Sequence, residues 1–528
     1  MPKFIQFSIM GIPKLLILKQ FLSNSTLKSL KIPLLFHQST KPQINLPFYT
    51  RTFSNSSSKN TFQTEILKFV QKWPQSSVLP LIKRCYGENS DSLHDDELRS
   101  IIRNLRRQKR SDRALEVSEW MMSTTLSDPK SGDFACQLSL IGQVHGVDPA
   151  EKFFNEVDLH TEKTYGALLN CYVEAKLVDK SLSHFKKMKD MGLAMSPLPY
   201  NNIMTLYTNT GQDEKLLDFL SEMEENGVSP DNFTYRICLK SFALKSDFSS
   251  VEKILRRMEN QHGFNIDWLT YVVVANYYIE AGFKEKAFYY LQQAEQKIDG
   301  NPVGYNNLIT TYAKIGGFNQ MMNVWRKRRG TSKARINTDY MIMITSLVKL
   351  DRFEEAERFL HEWESRCSFY DFRVVNTLLL GYAQKGLVEK AETLLDGIIR
   401  RRLMPSPCTW SIVSEGHIKC RNMRKALVFL KRALELGLGS QHEGWIPNYE
   451  VTSSVLKWLA EDGEIGEVDE FVKLLSKLVP MNEEMYRTLL RVNIRHGKEI
   501  EDVLQRMKAD NIDVTEELRE IIESRTRT

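Results

Sequence analysis

Anchor residues on an almost constant grid constrain this chain more than any other feature. Tyr165, Tyr200 and Tyr235 lie 35 residues apart, Tyr271 follows after 36, Tyr305 after 34, and Tyr340, Val375 and Trp410 after 35 each. Looser copies extend the grid to Leu98 and Phe134 upstream and to Thr452 and Tyr486 downstream, with seven extra residues before Thr452, in the 437–444 region. At such a period each repeat is one supersecondary unit that cannot bury its apolar faces alone and must stack on copies of itself. The 528 residues therefore read as one elongated array instead of several globular domains.

Residues 200–231 show what the unit is. Tyr200, Ile203, Met204 and Tyr207 fall at i, i+3, i+4 and i+7 and line one face of a first helix, and Gly211 stands where that helix should stop. Leu216, Phe219, Leu220 and Met223 repeat the spacing in a second helix that starts after Asp213, ends near Gly227 and cannot continue through Pro230. Two further registers keep the same phase. Gly211, Gly282, Gly316, Gly386, Gly463 and Gly497 stand eleven residues after their anchors, where a positive φ is expected. Ala114, Ala150, Ala287, Ala356, Ala391 and Ala426 stand sixteen after theirs, letting the second helix approach the first closely. The expected fold is all-α: a right-handed superhelical solenoid of about eleven helix-turn-helix repeats over 95–520, its concave face lined by first helices.

The ends differ from this body. Residues 1–55 are acid-free, basic and Ser-rich, with short apolar runs, and end in Arg51-Thr52-Phe53-Ser54, which suits a disordered mitochondrial transit peptide. Lysine outnumbers arginine there, which keeps a chloroplast address open. Residues 56–94 are expected to form an irregular or helical cap, and 521–528 a C-terminal tail. Of the net charge of +6, eight positive charges precede the first acid, Glu65, so the rest carries 6 − 8 = −2. A nearly neutral body offers no global electrostatic argument for nucleic acid; the placement of individual charges has to supply one. Seven cysteines without a CxxC pair imply reduced core residues, neither a disulfide framework nor a zinc site. No stretch reaches the roughly 18 apolar residues that span a bilayer, and no membrane partner is expected.

The period, the Tyr-Asn that opens the first helix at Tyr200-Asn201 and Tyr305-Asn306, the mid-repeat glycine and the closing Pro230-Asp231 resemble pentatricopeptide repeats over about four fifths of the chain. The segment 114–121 is similar to the first repeats of plant organellar members built of plain repeats only. The resemblance implies binding of single-stranded organellar RNA, one base per repeat, read by the residue after the anchor and by the last residue of the repeat. On that pattern Asn201 with Asp231 looks like a uracil reader, and Asn376 with Ser406 like a cytosine reader. Ser411 with Asn448, and Ser453 with Asn482, look like adenine readers, and apolar residues preceding each pair could sandwich the base. Asn306 faces Ile336, and Arg99, Ala135, Gly166, Arg236, Val272, Met341 and Arg487 fill the first reading place elsewhere, so those repeats are expected to discriminate poorly. Asn and Asp beside helix starts also suit N-caps, which leaves both roles open for any single pair.

Nine residues after their anchors stand Arg107, Lys314, Lys349, Lys419 and Arg495, an expected discontinuous cationic stripe that phosphates could follow, interrupted by Glu174, Glu280 and Glu461. The helix macrodipole alone also favours a cation there. Arg99, Arg103, Arg106 and Arg110 share one face and form the densest expected cationic surface, whereas Arg326–Arg329 and Arg400–Arg402 fall on second helices, as solvated convex surface.

No catalytic residue is assigned. His160-Thr161-Glu162 fits half of a deaminase zinc motif, but no C-x-x-C follows, and no Gly-rich phosphate loop is present. The expectation is a non-catalytic RNA binder without cofactor or metal, a monomer acting by site occupancy in RNA stability, processing, splicing or translation, with RNA-processing or ribosomal proteins as further partners. The competing expectation is a scaffold holding peptides in its groove as tetratricopeptide arrays do.

Overall fold

The computed structural model describes residues 77–80, 82, 95–123, 129–157, 160–330, 336–439 and 445–524. The expected transit peptide, nearly all of the expected cap and the last four residues of the expected tail lie outside the described residues. All described residues belong to one compact unit spanning 59–528.

Twelve helical hairpins follow one another, against about eleven expected. They are α1 (Asp95–Arg107) with α2 (Ser111–Ser123), α3 (Ser131–His145) with α4 (Val147–Glu156), α5 (Glu162–Glu174) with α6 (Val178–Asp190), and α7 (Pro197–Asn209) with α8 (Leu216–Glu225). Next come α9 (Asn232–Leu244) with α10 (Phe248–Asn260), α11 (Trp268–Glu280) with α12 (Lys284–Lys297), α13 (Pro302–Lys314) with α14 (Phe318–Arg329), and α15 (Ile336–Lys349) with α16 (Phe353–Glu364). The last are α17 (Phe372–Lys385) with α18 (Val388–Arg400), α19 (Pro407–Lys419) with α20 (Met423–Gly437), α21 (Tyr449–Asp462) with α22 (Ile465–Ser476), and α23 (Glu483–Arg495) with α24 (Glu501–Ala509). A final helix, α25 (Glu516–Ser524), packs on α23. No strand occurs among the described residues.

Most first helices have as their N-cap the residue that closes the preceding repeat. Asp231 accepts the Thr234 backbone N–H at 2.7 Å, Asp267 that of Thr270 at 2.8 Å and Asn482 that of Met485 at 3.1 Å. Thr161, Asn301, Asp371, Ser406 and Asn448 cap their helices in the same way. Each such cap contributes about 1 kcal/mol.

The turn between helices is more uniform than its residues. Gly211, Gly282, Gly316, Gly386 and Gly497 have φ between 67° and 84°, as expected. Lys109, Lys176, Ser246, Asp351 and Arg421 hold the same place in other repeats with φ of 56–59°. The next N–H reaches back into the helix, from Leu177 to the Tyr172 carbonyl at 3.0 Å and from Arg352 to that of Leu347 at 2.9 Å, which satisfies a helix-end carbonyl. Gly463 departs from the expectation: its φ is −75°, and a Cβ there would lie 2.6 Å from the Leu459 carbonyl oxygen. Close approach, not handedness, keeps a glycine at that turn.

All six register alanines are buried, and successive first helices pack on one another along the array. Gly381 of α17 sits against Val348 of α15, where an added Cβ would come within 2.7 Å of a valine methyl. Successive second helices are instead bridged mostly by long side chains, as in Arg257–Glu224 at 2.6 Å, Lys327–Glu295 at 2.6 Å and Lys425–Glu392 at 2.7 Å. The first helices therefore form the tighter side of the solenoid. Its buried core divides into one cluster from Val78 to Val413 and another from Leu427 to Ile521. The division falls beside α19, whose buried face is mostly small or polar, with Thr409, Ser411, Ser414 and His417.

Candidate nucleic-acid interface

The residues after the anchors meet the starts of the following first helices at several repeat boundaries. Asn201 Nδ2 donates to Asp231 Oδ1 at 3.4 Å, so the structure brings that expected pair together while Asp231 also caps α9. Asn306 Nδ2 donates to Asp339 Oδ1 at 3.1 Å. Ser453 donates to Glu484 at 2.5 Å and not to Asn482, which is exposed. Among the described residues no hydrogen bond joins Asn376 to Ser406 or Ser411 to Asn448; Ser406 and Asn448 serve as caps.

One property recurs in this register. The amide oxygens of Asn201, Asn306 and Asn376 are buried and accept no hydrogen bond from any described residue. In Asn201 and Asn306 the neighbouring carboxylate settles which end is the NH2, because only that end can donate to it. An unmet buried acceptor costs on the order of 1–3 kcal/mol, so a donor that reached one of these oxygens would be favoured. Two residues before their anchors, Leu198, Phe233 and Val303 are 58%, 49% and 61% exposed, placing apolar surface along the same side of the first helices. A pocket of about 310 Å³ opens between α13, α15 and α17, with Thr310, Met341, Thr345 and Arg373 in its lining.

Arginines in the first reading place are tied down. Arg99 pairs with Asp133 at 2.8 Å and with Asp96 at 3.0 Å, and Arg236 pairs with Asp267 at 2.9 Å. Burial pushes the Asp133 carboxyl up, but hydrogen bonds from Arg99 and the Lys130 N–H outweigh it and hold the group below the usual carboxylate value. Arg99 is thus a cross-link between hairpins and not part of the open cationic surface expected around Arg103 and Arg106. The expectation for Arg326–Arg329 changes in the same way. Arg328 is buried, 2% exposed, and bonded at 2.6 Å to an equally buried Asp339. A guanidinium with a carboxylate partner eleven residues ahead can be taken inside, and its three neighbours stay out.

Arg107, Lys314, Lys349, Lys419 and Arg495 each form the last residue of a first helix and are exposed. Lys314 reaches back to Asn276 at 2.8 Å, Lys419 pairs with Glu415 at 2.9 Å, and Arg495 caps the Ala460 carbonyl at 3.1 Å. Residues sequence reasoning missed are Asp133, Asp339 and Glu484. Their signal in the sequence is an acid one or two places before the anchor. His160, half of the zinc motif, packs at a tilt against Phe154 with ring centroids 5.0 Å apart, and no cluster of metal-ligating side chains occurs among the described residues. Two of the described cysteines, Cys408 and Cys420, are exposed, unlike the expected core residues. No described helix is long and apolar enough to cross a membrane.

Tandem helical hairpins on a 35-residue period, with a side-chain register running along the first helices, define an α-solenoid repeat protein. The PPR repeat family profile matches residues 199–244, and the PPR repeat profile matches 163–193, 339–367 and 373–403. A mitochondrial pentatricopeptide repeat-containing protein of Arabidopsis thaliana is 39% identical over 90% of this chain and 96% of its own. Another from the same plant, also mitochondrial, is 33% identical over 76% of this chain and 82% of its own. The chain belongs to the pentatricopeptide repeat family. Among solved structures it is similar to the pentatricopeptide repeat protein PPR10 from maize, with 17% identity, 87% of this chain and 84% of that chain covered, and a TM-score of 0.35.

Proposed function

We propose that this protein binds single-stranded RNA of an organelle along its first helices and acts by occupying a site, in RNA stability, processing, splicing or translation. The observation that carries this reading is the set of unmet amide oxygens at Asn201, Asn306 and Asn376. Where one N–H of the amide is committed to a carboxylate, the unmet oxygen is the acceptor offered to a ligand. An acceptor favours a base with a donor at the centre of its Watson–Crick edge, uracil N3–H or guanine N1–H, over cytosine and adenine. Phe233 would stack a base, worth roughly 1–3 kcal/mol, and Leu198 and Val303 would cover base faces with apolar surface. Arg107, Lys314, Lys349 and Lys419 would track phosphates. If all four engage, log K falls against log salt with a slope of about −3, on the order of 0.7 per contact. The mitochondrial names of the two relatives support that organelle as the place of action.

The test is selection from a random RNA pool by the full chain. An enriched motif whose affinity falls with salt is the expected result. A pool that stays random after selection overturns the reading.

A further inference from the structure

The repeat anchored on Tyr305 lacks an acid at its last residue, where Ile336 stands, and on sequence grounds it should read poorly. Its Asn306 is nevertheless set like Asn201: Nδ2 donates to a carboxylate, at 3.1 Å against 3.4 Å, and Oδ1 is buried and accepts nothing from any described residue. The carboxylate comes from Asp339, inside α15 and one residue before the next anchor. That register can reach the first reading place, since Asp133, one before Phe134, takes Arg99 at 2.8 Å in the first repeat boundary. Asp339 differs in having its other oxygen bonded at 2.6 Å by Arg328, at the end of α14 in the same repeat as Asn306, with both charges almost wholly buried. A buried ion pair is weak evidence of a stabilising role, because well-packed apolar residues of similar volume often serve as well or better. What such a pair does supply is a fixed orientation: Arg328 holds one carboxylate oxygen so that the other faces Asn306.

We propose that Asp339, positioned by Arg328, replaces the missing acid of this repeat, so that Asn306 with Asp339 reads a base as Asn201 with Asp231 does. The inference rests on the RNA-binding reading above. It adds one specificity-determining residue, Asp339, and one positioning residue, Arg328. The repeat of Tyr305 is the third after that of Tyr200, so the two bases lie three nucleotides apart.

The experiment repeats the random-pool selection with the full chain and two variants. Asp231→Asn marks the base read by Asn201. The double variant Arg328→Met with Asp339→Asn removes both buried charges together, so no lone charge is left to unfold the chain, and a melting curve checks the fold. The expected result is a preference of roughly tenfold at one motif position that falls to about even in Asp231→Asn, and a like loss exactly three positions away in the double variant. If Asp231→Asn changes its position while the double variant leaves the third position away as in wild type, or weakens all positions alike, the inference is overturned and the reading stands. A pool not enriched by the wild-type chain overturns both.

Discussion

The Tyr278 hydroxyl donates a 2.6 Å hydrogen bond to Glu252 on the second helix of the preceding repeat, and the same carboxylate takes Lys286 at 2.8 Å and Tyr290 at 3.0 Å. The arrangement recurs as Tyr382 and Lys390 on Glu357, at 2.5 and 3.1 Å. Its third form has His417 3.1 Å from Glu392, a close but poorly aligned contact, with Lys425 at 2.7 Å. Burial raises the Glu252 carboxyl, yet the bonds from Lys286, Tyr278 and Tyr290 bring it below its ordinary value. Glu252→Ala should therefore cost about 1.5–3 kcal/mol, the range for hydrogen bonds to a charged group. Glu354→Ala, at an exposed position on α16, should stay within about 0.5 kcal/mol. Urea midpoints of the two variants check the contrast.

Lys176, Asp351 and Arg421 hold left-handed turns that favour glycine. Lys176→Gly and Arg421→Gly should each stabilise the array by about 0.5–1 kcal/mol, with native spectra unchanged. A drop in melting temperature would show that their side chains, and not the backbone, matter at those turns.

Gly381→Ala brings a methyl group within 2.7 Å of the buried Val348 side chain, between two helices that cannot separate without opening the stack. The expected loss is about 1–3 kcal/mol. Val348→Ala in the Gly381→Ala background should recover part of it, which thermal melts would reveal.

Acid should weaken the fold in two stages. Burial pulls the imidazoles of His184 and His417 below their ordinary value of 6.5, so the folded chain binds fewer protons than the unfolded one once pH falls beneath that value. Stability present above pH 6.5 then starts to fall. Glu252, Glu357 and Glu364 are also lowered, from 4.5, and their contribution is full above that pH and lost as pH drops through the folded values. Urea midpoints should be flat from pH 8 to 7, decline below 6.5 and steepen below 4.5. Replacing His184 and His417 with Gln should flatten the first stage only.

The helical hairpins, their phase and the alanine contacts were legible because apolar spacing and small residues are direct records of packing. The turns were half legible. Glycine marks a positive φ, but Lys176 or Ser246 in the same conformation gives no such sign, since hairpin geometry imposes it whatever the residue. The contact of Asn201 with Asp231 was legible because the two stand in the registers that pair across a repeat boundary. Asp339 was not, because its carboxylate arrives from inside the next helix. Arg328 looked like surface because its partner stands beyond a loop, eleven residues on, and burial of a charge depends on that partner.

The most direct test of the central claim uses the spacing of the three unmet amide oxygens. Asn201, Asn306 and Asn376 lie in repeats separated by three and then two units. Each is changed to Ser in turn, and dissociation constants are measured against oligonucleotides differing from the selected motif at single nucleotides. Base preference should change at one position per variant, with those positions three and then two nucleotides apart. Uniform weakening across all oligonucleotides, or changes at positions with any other spacing, would contradict the account.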